Sequence, residues 1–159
     1  MKRIVLSILL ISAVLPLFAQ KNLDSWRRLD PLRGQEINFG LDFSNAQIVG
    51  LKADDFIASR EDWKNEHKEL WCRVVNAFNA YAFKSRIGGY RESEYTLLIQ
   101  PVNVYDGGST IDGWAQVVNS SGEVIFCRSF HVSEGRVGSV TNLMGDALVK
   151  YAEKLGRKF

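Results

Sequence analysis

Side chains that could carry out chemistry are few in this sequence, and they do not cluster. Its two histidines are His67, inside a charged segment, and His131, at the end of an apolar run. A zinc site needs several His, Cys or carboxylate ligands at close spacing, and a hydrolase needs a nucleophile and an acid near its histidine. Only Ser129 and Arg128 lie beside His131, with no acid or nucleophile at a recognisable turn. We therefore expect a protein that is not an enzyme and that uses no metal and no cofactor.

Two loops leave an alternative open, a small-ligand-binding protein or a hydrolase with a site near residues 105–110 and 131–139. The first loop carries Asp106 between a tyrosine and two glycines, and the second carries Arg136 between glycines ahead of a helical pattern. With His131, these side chains could surround a ligand. The same residue types are also typical of a hairpin turn and of a loop that leads into a helix.

The first residues have the three-part pattern of a secretory signal. Lys2 and Arg3 form a basic start, an apolar stretch covers 4–18, and the small residue Ala19 follows. The apolar stretch is shorter than the roughly 20 residues that a bilayer-spanning helix needs. We predict that residues 1–19 are a cleaved signal peptide. The mature chain is then exported to the periplasm or the cell exterior, with no stable membrane anchor.

The two cysteines, Cys72 and Cys127, would meet an oxidising environment after export, so a disulfide has to be considered. Cys72 falls in a helical pattern and Cys127 in a strand pattern. A helix lies about 10 Å from a sheet that it covers, by analogy with stacked sheets, whereas bridged Cα atoms must approach within about 7 Å. The pattern favours two separate thiols, with a bridge as the other possibility.

Composition and charge narrow the class of protein further. A hydrophobic fraction of 46% with 24% charged residues is typical of a globular domain. The chain has 20 Lys and Arg against 18 Asp and Glu, and without Lys2 and Arg3 the two signs balance at 18 each. Because nucleic-acid binding depends on an excess of positive charge, we expect no nucleic-acid partner.

The hydrophobic pattern predicts a single domain over residues 36–159, preceded by a polar lead-in over residues 20–35. The lead-in contains three arginines and one proline and is expected to be a mobile segment or an arm. Residues 37–44 alternate between apolar and polar, which indicates a half-buried strand. Residues 56–83 contain no Gly or Pro and carry an apolar stripe at helical spacing, which predicts one long amphipathic helix.

Three strand-like runs and a second helix complete the predicted order β-α-β-β-β-α. The runs cover residues 95–105, 110–119 and 123–132, and short turn-forming links separate them, which predicts an antiparallel meander. Ser139 or Thr141 can cap a final helix that ends near Gly156. The predicted fold class is α+β, a two-layer sandwich of a four-stranded, mainly antiparallel sheet and two helices.

The last predicted strand has more apolar surface than a half-buried strand needs. Val124, Phe126, Phe130 and Val132 lie on one side, interrupted by Arg128, and further apolar residues, Ile125 and Cys127, lie on the other. A strand of this kind is usually covered on both faces. Either a helix or the lead-in covers the far face, or a partner does.

We predict that the surplus apolar surface forms a binding patch on the sheet. Its members are Trp114, Phe126, Arg128 and Phe130. The expected occupant is a protein partner or a second copy of the chain.

One resemblance supports an envelope role. The residues that carry it are the alternating strand and the segment that follows it to position 55, together with Gly-Trp-Ala-Gln-Val-Val-Asn at 113–119. In these residues the sequence resembles small exported envelope proteins of unknown function in Gram-negative bacteria. Some of these are similar in layout to the α/β domains of TolB N-terminal and curli-secretion type. The resemblance implies a non-enzymatic binding or assembly accessory, and it implies no site residues.

Overall fold

The computed structural model describes residues 23–135 and 137–159 as a mixed sheet with helices packed on one side. The strands of the described residues are β1 (Glu36–Leu41), β2 (Gln47–Ile48), β3 (Leu51–Lys52), β4 (Arg86–Gly88), β5 (Tyr95–Tyr105), β6 (Thr110–Asn119) and β7 (Val124–Ser133). The helices are α1 (Ala53–Ala58), α2 (Trp63–Tyr81) and α3 (Val140–Gly156), with short 3₁₀ segments at Trp26–Leu32 and Asp106–Gly108.

Strand β5 is the centre of the sheet because other strands pair with both of its edges. One edge pairs antiparallel with β6, which in turn pairs antiparallel with β7. The other edge pairs in parallel with β1 over its first half and with β2 over its second half. Strand β4 extends the sheet in parallel beyond β1, and β3 pairs with β2.

The α+β class and the three-stranded meander are confirmed, but the predicted layout of four mainly antiparallel strands and two helices is wrong in detail. The described residues form seven strands, and β1 pairs in parallel with both neighbours. The additional strands β2, β3 and β4 have only two or three residues each. Segments this short show no alternation, so their pairing depends on neighbouring strands rather than on their own sequence.

The long helix predicted over residues 56–83 is two helices. Helix α1 ends at Ala58, and the chain turns through residues 59–62 before α2 begins at Trp63. The final helix matches the prediction more closely, because the Ser139 side chain accepts a hydrogen bond from the Asn142 backbone N–H at 3.3 Å. Ser139 is therefore the N-cap residue, and Thr141 lies inside the helix.

Helices α2 and α3 pack side by side on one face of the sheet. A single core cluster joins their buried residues to the side chains of β1, β5, β6 and β7 that point to this face, including Phe39, Leu97, Val117 and Phe126. At Gly156, a Cβ atom would lie 2.6 Å from the carbonyl oxygen of Phe78. The absence of a side chain there allows the two helices to approach each other.

The lead-in is folded from Leu23 onward, so the expectation of a mobile segment is wrong for its described part. Leu29 and Leu32 are fully buried in the core cluster. The hydroxyl of the buried Ser85 donates to the Leu32 carbonyl at 2.9 Å, and the backbone N–H of Cys127 donates to the Leu23 carbonyl at 3.0 Å. Apolar residues recur every three positions in this short segment. One side of it is therefore buried, although most of its residues are polar.

The predicted signal peptide, residues 1–19, lies outside the described residues, and export stays a prediction. Among the helices at positions 23–159 that the structure describes, none has the length and apolar character needed to cross a membrane.

A polar clamp joins the break between α1 and α2 to the start of α3. Arg60 donates two hydrogen bonds to Glu66, at 2.6 and 3.1 Å. Thr141 donates to the same carboxylate at 2.9 Å and accepts from Arg60 at 3.0 Å. The Arg60 hydrogen bonds, with a smaller contribution from Thr141, lower the pKa of Glu66 against an opposing effect of burial.

We expect Glu66→Gln to lower the free energy of unfolding at pH 7 by about 1–2 kcal/mol, the scale of hydrogen bonds to a charged group. Because the pKa of Glu66 is lower in the folded state, its stabilising effect is present above the unfolded-state pKa. The effect is lost as the pH falls through the folded-state pKa. Urea denaturation at several pH values measures this, with Glu69→Gln at an exposed position of α2 as control. A Glu66→Gln effect that persists undiminished at pH 2 would contradict the clamp.

Candidate functional site

The four residues of the predicted sheet patch do not share one surface. Phe126 is fully buried and Phe130 nearly so, and both point into the helix layer. The ring of Phe130 stacks on Tyr151 of α3 with 4.0 Å between centroids. Trp114 pairs with Ser129 across β6 and β7 and therefore points to the opposite face.

The lead-in covers the apolar edge of the helix layer beside β7. Trp26 packs on Phe126 with 5.4 Å between ring centroids. The Arg128 guanidinium lies 4.7 Å from the centre of the Trp26 ring and donates to the Asp24 carbonyl at 3.0 Å. Cover within the chain is thus the outcome for Phe126 and Phe130. Arg128, which interrupts the apolar side of this strand, is the residue that contacts the Trp26 ring.

The other face of the sheet has no helix on it within the described chain. We call it the open face, and strand register places on it Asn38, Gly40, Thr96, Leu98, Gln100, Trp114, Gln116, Val118, Val124, Cys127 and Ser129, with the pairs Asp112–His131 and Glu36–Arg86 at its margins. Leu98, Trp114 and Val118 are apolar but do not belong to the core cluster. Its charged side chains, Glu36, Arg86 and Asp112 with its partner His131, lie at the margins. The surplus apolar surface predicted from the sequence therefore exists, but on the row opposite to Phe126 and Phe130.

Two glutamines at the middle of the open face have amide groups without partners. Gln116 is fully buried, and neither its Nε2 nor its Oε1 has a hydrogen-bond partner among the described residues. Gln100 is 8% exposed and donates to Asp42 at 3.2 Å, but its Oε1 has no partner. Each such group costs about 1–3 kcal/mol relative to a hydrogen-bonded one. A sheet that ended at this face would be more stable with an apolar residue at position 116.

These glutamines are the functional candidates that the sequence analysis missed. Each interrupts an apolar run, Leu-Leu-Ile-Gln at 97–100 and Ala-Gln-Val-Val at 115–118. A glutamine within an apolar strand segment is the sequence feature that could have identified them. Strand alternation alone would assign both to a solvated face, where a glutamine needs no explanation.

The two cysteines are separate thiols, which confirms the favoured interpretation. Cys72 lies on α2 and Cys127 on the open face, opposite Gln116 in the strand register. Burial raises the pKa of the Cys127 thiol. The group is therefore a neutral, weakly polar member of the open face.

His131 has a carboxylate partner, but not the one that the sequence suggested. Its Nδ1 lies 2.6 Å from Asp112 Oδ1, and the Tyr105 hydroxyl donates to the other oxygen of Asp112 at 3.1 Å. Asp106 instead accepts a hydrogen bond from Thr110 at 2.9 Å. Arg136, the third residue of that alternative, lies outside the described residues.

The group around His131 is exposed and shallow. The His131 side chain is 64% exposed and that of Asp112 40%. The Tyr105 hydroxyl also lies 3.4 Å from His131 Nδ1, and no serine, threonine or cysteine side chain is bonded to the imidazole in the described chain. Across residues 23–135 and 137–159, no group of three His, Cys, Asp or Glu side chains is placed to hold a metal ion.

Comparison with known proteins gives a likeness of fold only. No protein-family model matches the sequence, and no curated protein matches it. A Xanthomonas campestris protein of family DUF330 shares 17% identity at a TM-score of 0.42, over 76% of this chain and 81% of that one. A variant PelC dodecamer from Paraburkholderia phytofirmans shares 12% at 0.46, over 79% and 89%. A structure described as an uncharacterised protein shares 15% at 0.42, over 81% and 84%.

These likenesses are too distant to carry an argument about function. They do confirm the coarse expectation of similarity to uncharacterised proteins. The finer resemblance, to TolB N-terminal and curli-secretion domains, stays a prediction.

We expect Phe126→Ala to lower the free energy of unfolding by about 3–5 kcal/mol, because it empties a fully buried site under Trp26. The same truncation at Phe83, whose side chain is 83% exposed, should change it by less than about 0.5 kcal/mol. Thermal and urea denaturation of the two variants measure the difference. Equal effects would mean that Phe126 is a surface residue after all.

Proposed function

We propose that this protein is a non-enzymatic assembly module that binds a second copy of itself through the open face. One observation carries the proposal: the Gln116 amide is fully buried without a partner in the middle of a sheet surface whose charged side chains lie at its margins. A buried polar group without a partner is rare in a complete structure. A second protein layer against this face would supply the apolar contact and, once the Gln116 side chain rotates toward it, the missing hydrogen bonds.

The charge pattern favours a second copy over a different partner. The charges of the open face lie at its margins and have both signs, with Glu36 opposite Arg86 and Asp112 against His131, so two identical faces can meet without net repulsion. Gln116 has both a donor and an acceptor without partners, and Gln100 has a further acceptor. Across a two-fold axis, a donor of one subunit can meet an acceptor of the other, because the same patch is used twice. Two sheets pack in this way about 10 Å apart.

The proposed setting is the cell envelope. The leader pattern and the resemblance to small exported proteins support export to the periplasm or cell exterior, and the layout resemblance to TolB- and curli-type domains supports an accessory role.

The contact of 2.6 Å between His131 and Asp112 favours a second candidate, a small-ligand-binding protein or hydrolase near residues 105–110 and 131–139. The exposure of both side chains, and the lack of a serine, threonine or cysteine bonded to the imidazole in the described residues, make it the weaker proposal.

Trp114→Arg tests the open face without disturbing the core. A buried interface tryptophan typically contributes 2 kcal/mol or more, so we expect self-association to weaken by about 30-fold or more. Sedimentation equilibrium of the wild-type protein and the variant measures this. Circular dichroism checks that the variant is folded.

Phe83→Arg is the matched control, since it adds the same charge at an exposed aromatic residue away from the open face, and it should leave association unchanged. Gln116→Leu separates the amide from simple apolar contact. If the amide bonds across the interface, this variant associates more weakly. A wild-type protein that stays monomeric at several hundred micromolar would overturn the proposal.

A further inference from the structure

A cleft of about 490 Å³ lies where the lead-in, β7 and the end of α3 meet. Three aromatic rings line it, one from each element: Trp26, Phe130 and Tyr151. Phe130 and Tyr151 are stacked with an angle of 17° between their planes. The volume falls within the range of small-molecule sites, which are usually concave and mostly apolar with a few polar groups.

Four cations line the same cleft, and no carboxylate does. They are Arg128 of β7 and Lys154, Arg157 and Lys158 at the end of α3. None of the four forms an ion pair with a described carboxylate, although Arg128 and Lys158 lie 4.7 and 5.5 Å from the centre of the Trp26 ring. Cations are common at a helix C-terminus. That tendency accounts for the three residues near the end of α3 but not for Arg128, which comes from a strand.

The Tyr151 hydroxyl gives a second, independent indication of a ligand. Tyr151 is 7% exposed, lines the cleft, and has no hydrogen-bond partner for its hydroxyl among the described residues. Burial raises its pKa, with a smaller opposing effect from Arg128, so the hydroxyl is protonated at neutral pH and available to donate. An anionic oxygen of a ligand would accept that hydrogen bond beside the cations.

We infer that this cleft binds a small organic anion, a carboxylate, sulfonate or phosphate attached to an aromatic or other flat apolar body. The apolar body would lie against Trp26 and the stacked pair, and the charged group would face Arg128, Lys154 and the Tyr151 hydroxyl. The cleft is concave and three aromatic rings line it, which favours a small ligand with a flat apolar body over a polyanion. The inference concerns a site different from the open face and does not depend on self-association.

Naphthalene-1-sulfonate is a suitable probe, titrated into ¹⁵N-labelled protein while the tryptophan indole resonances are followed. We expect saturable binding that moves the Trp26 resonance, which a Trp26→Phe variant assigns. Lys154→Glu reverses one exposed cation of the cleft and should weaken binding at least about tenfold. Lys64→Glu makes the same change at an exposed position of α2 outside the cleft, and it should have no effect.

Tyr151→Phe removes only the hydroxyl and distinguishes binding from structural support. We expect it to weaken probe binding about three- to tenfold without lowering the melting temperature, because the hydroxyl makes no hydrogen bond within the described chain. If the hydroxyl were purely structural, the variant would bind the probe as tightly as the wild type and would melt at a lower temperature.

Three outcomes would overturn the inference. They are equal affinity for the neutral analogue naphthalene-1-methanol, equal affinity for inorganic sulfate, and binding that Lys154→Glu leaves unchanged. Trp114→Arg serves as a control for the proposed function. Probe binding that survives in this variant supports the cleft as a separate site, and binding that it abolishes places the probe on the open face and overturns the inference.

Discussion

The described structure has one helix layer for a sheet with two faces, and this constraint governs the rest of the molecule. Helices α2 and α3 both pack on the row of side chains that contains Leu97 and Phe126, and they approach each other closely at Gly156. Because side chains alternate along a strand, half of the side chains of β5, β6 and β7 face away from both helices. No described helix covers the other row, and the Gln116 amide on it is buried without a partner among the described residues. The proposed self-association rests on this observation.

The lead-in completes the helix layer and creates its most distinctive surface feature. Trp26 covers Phe126, and Leu29 and Leu32 extend the core below the helices. Where this segment stops short of α3, a basic and aromatic cleft remains. The cleft and the open face lie mainly on opposite sides of the sheet and meet at the edge of β7, where Ser129 borders both. The two proposed binding sites can therefore act separately.

The sequence predictions that are confirmed rest on local patterns that extend over many residues. The three long strands follow from strand-like apolar runs separated by turn-forming links, and the capping of α3 by Ser139 follows from a side chain that bonds its own helix. The predictions that were wrong concerned short or irregular segments. Residues 59–62 contain no Gly or Pro, yet the chain turns there, and Arg60 reaches Glu66 and Thr141 from that turn. Ile125 falls at a bulge between paired residues and packs against the core, although strict alternation assigned it to the other side.

The sequence by itself determined an α+β domain with a meander and a capped final helix, and an excess of apolar strand surface. Those properties arise from residue type and local period, which do not depend on what the chain packs against. Tertiary structure alone decided which apolar row is covered, because the helices and Trp26 choose one face by long-range contact. It also placed Asp112 rather than Asp106 beside His131, and it left Gln116 without a partner. Hydrogen-bond partners across strands are set by register and by the packed layer, neither of which a single strand encodes.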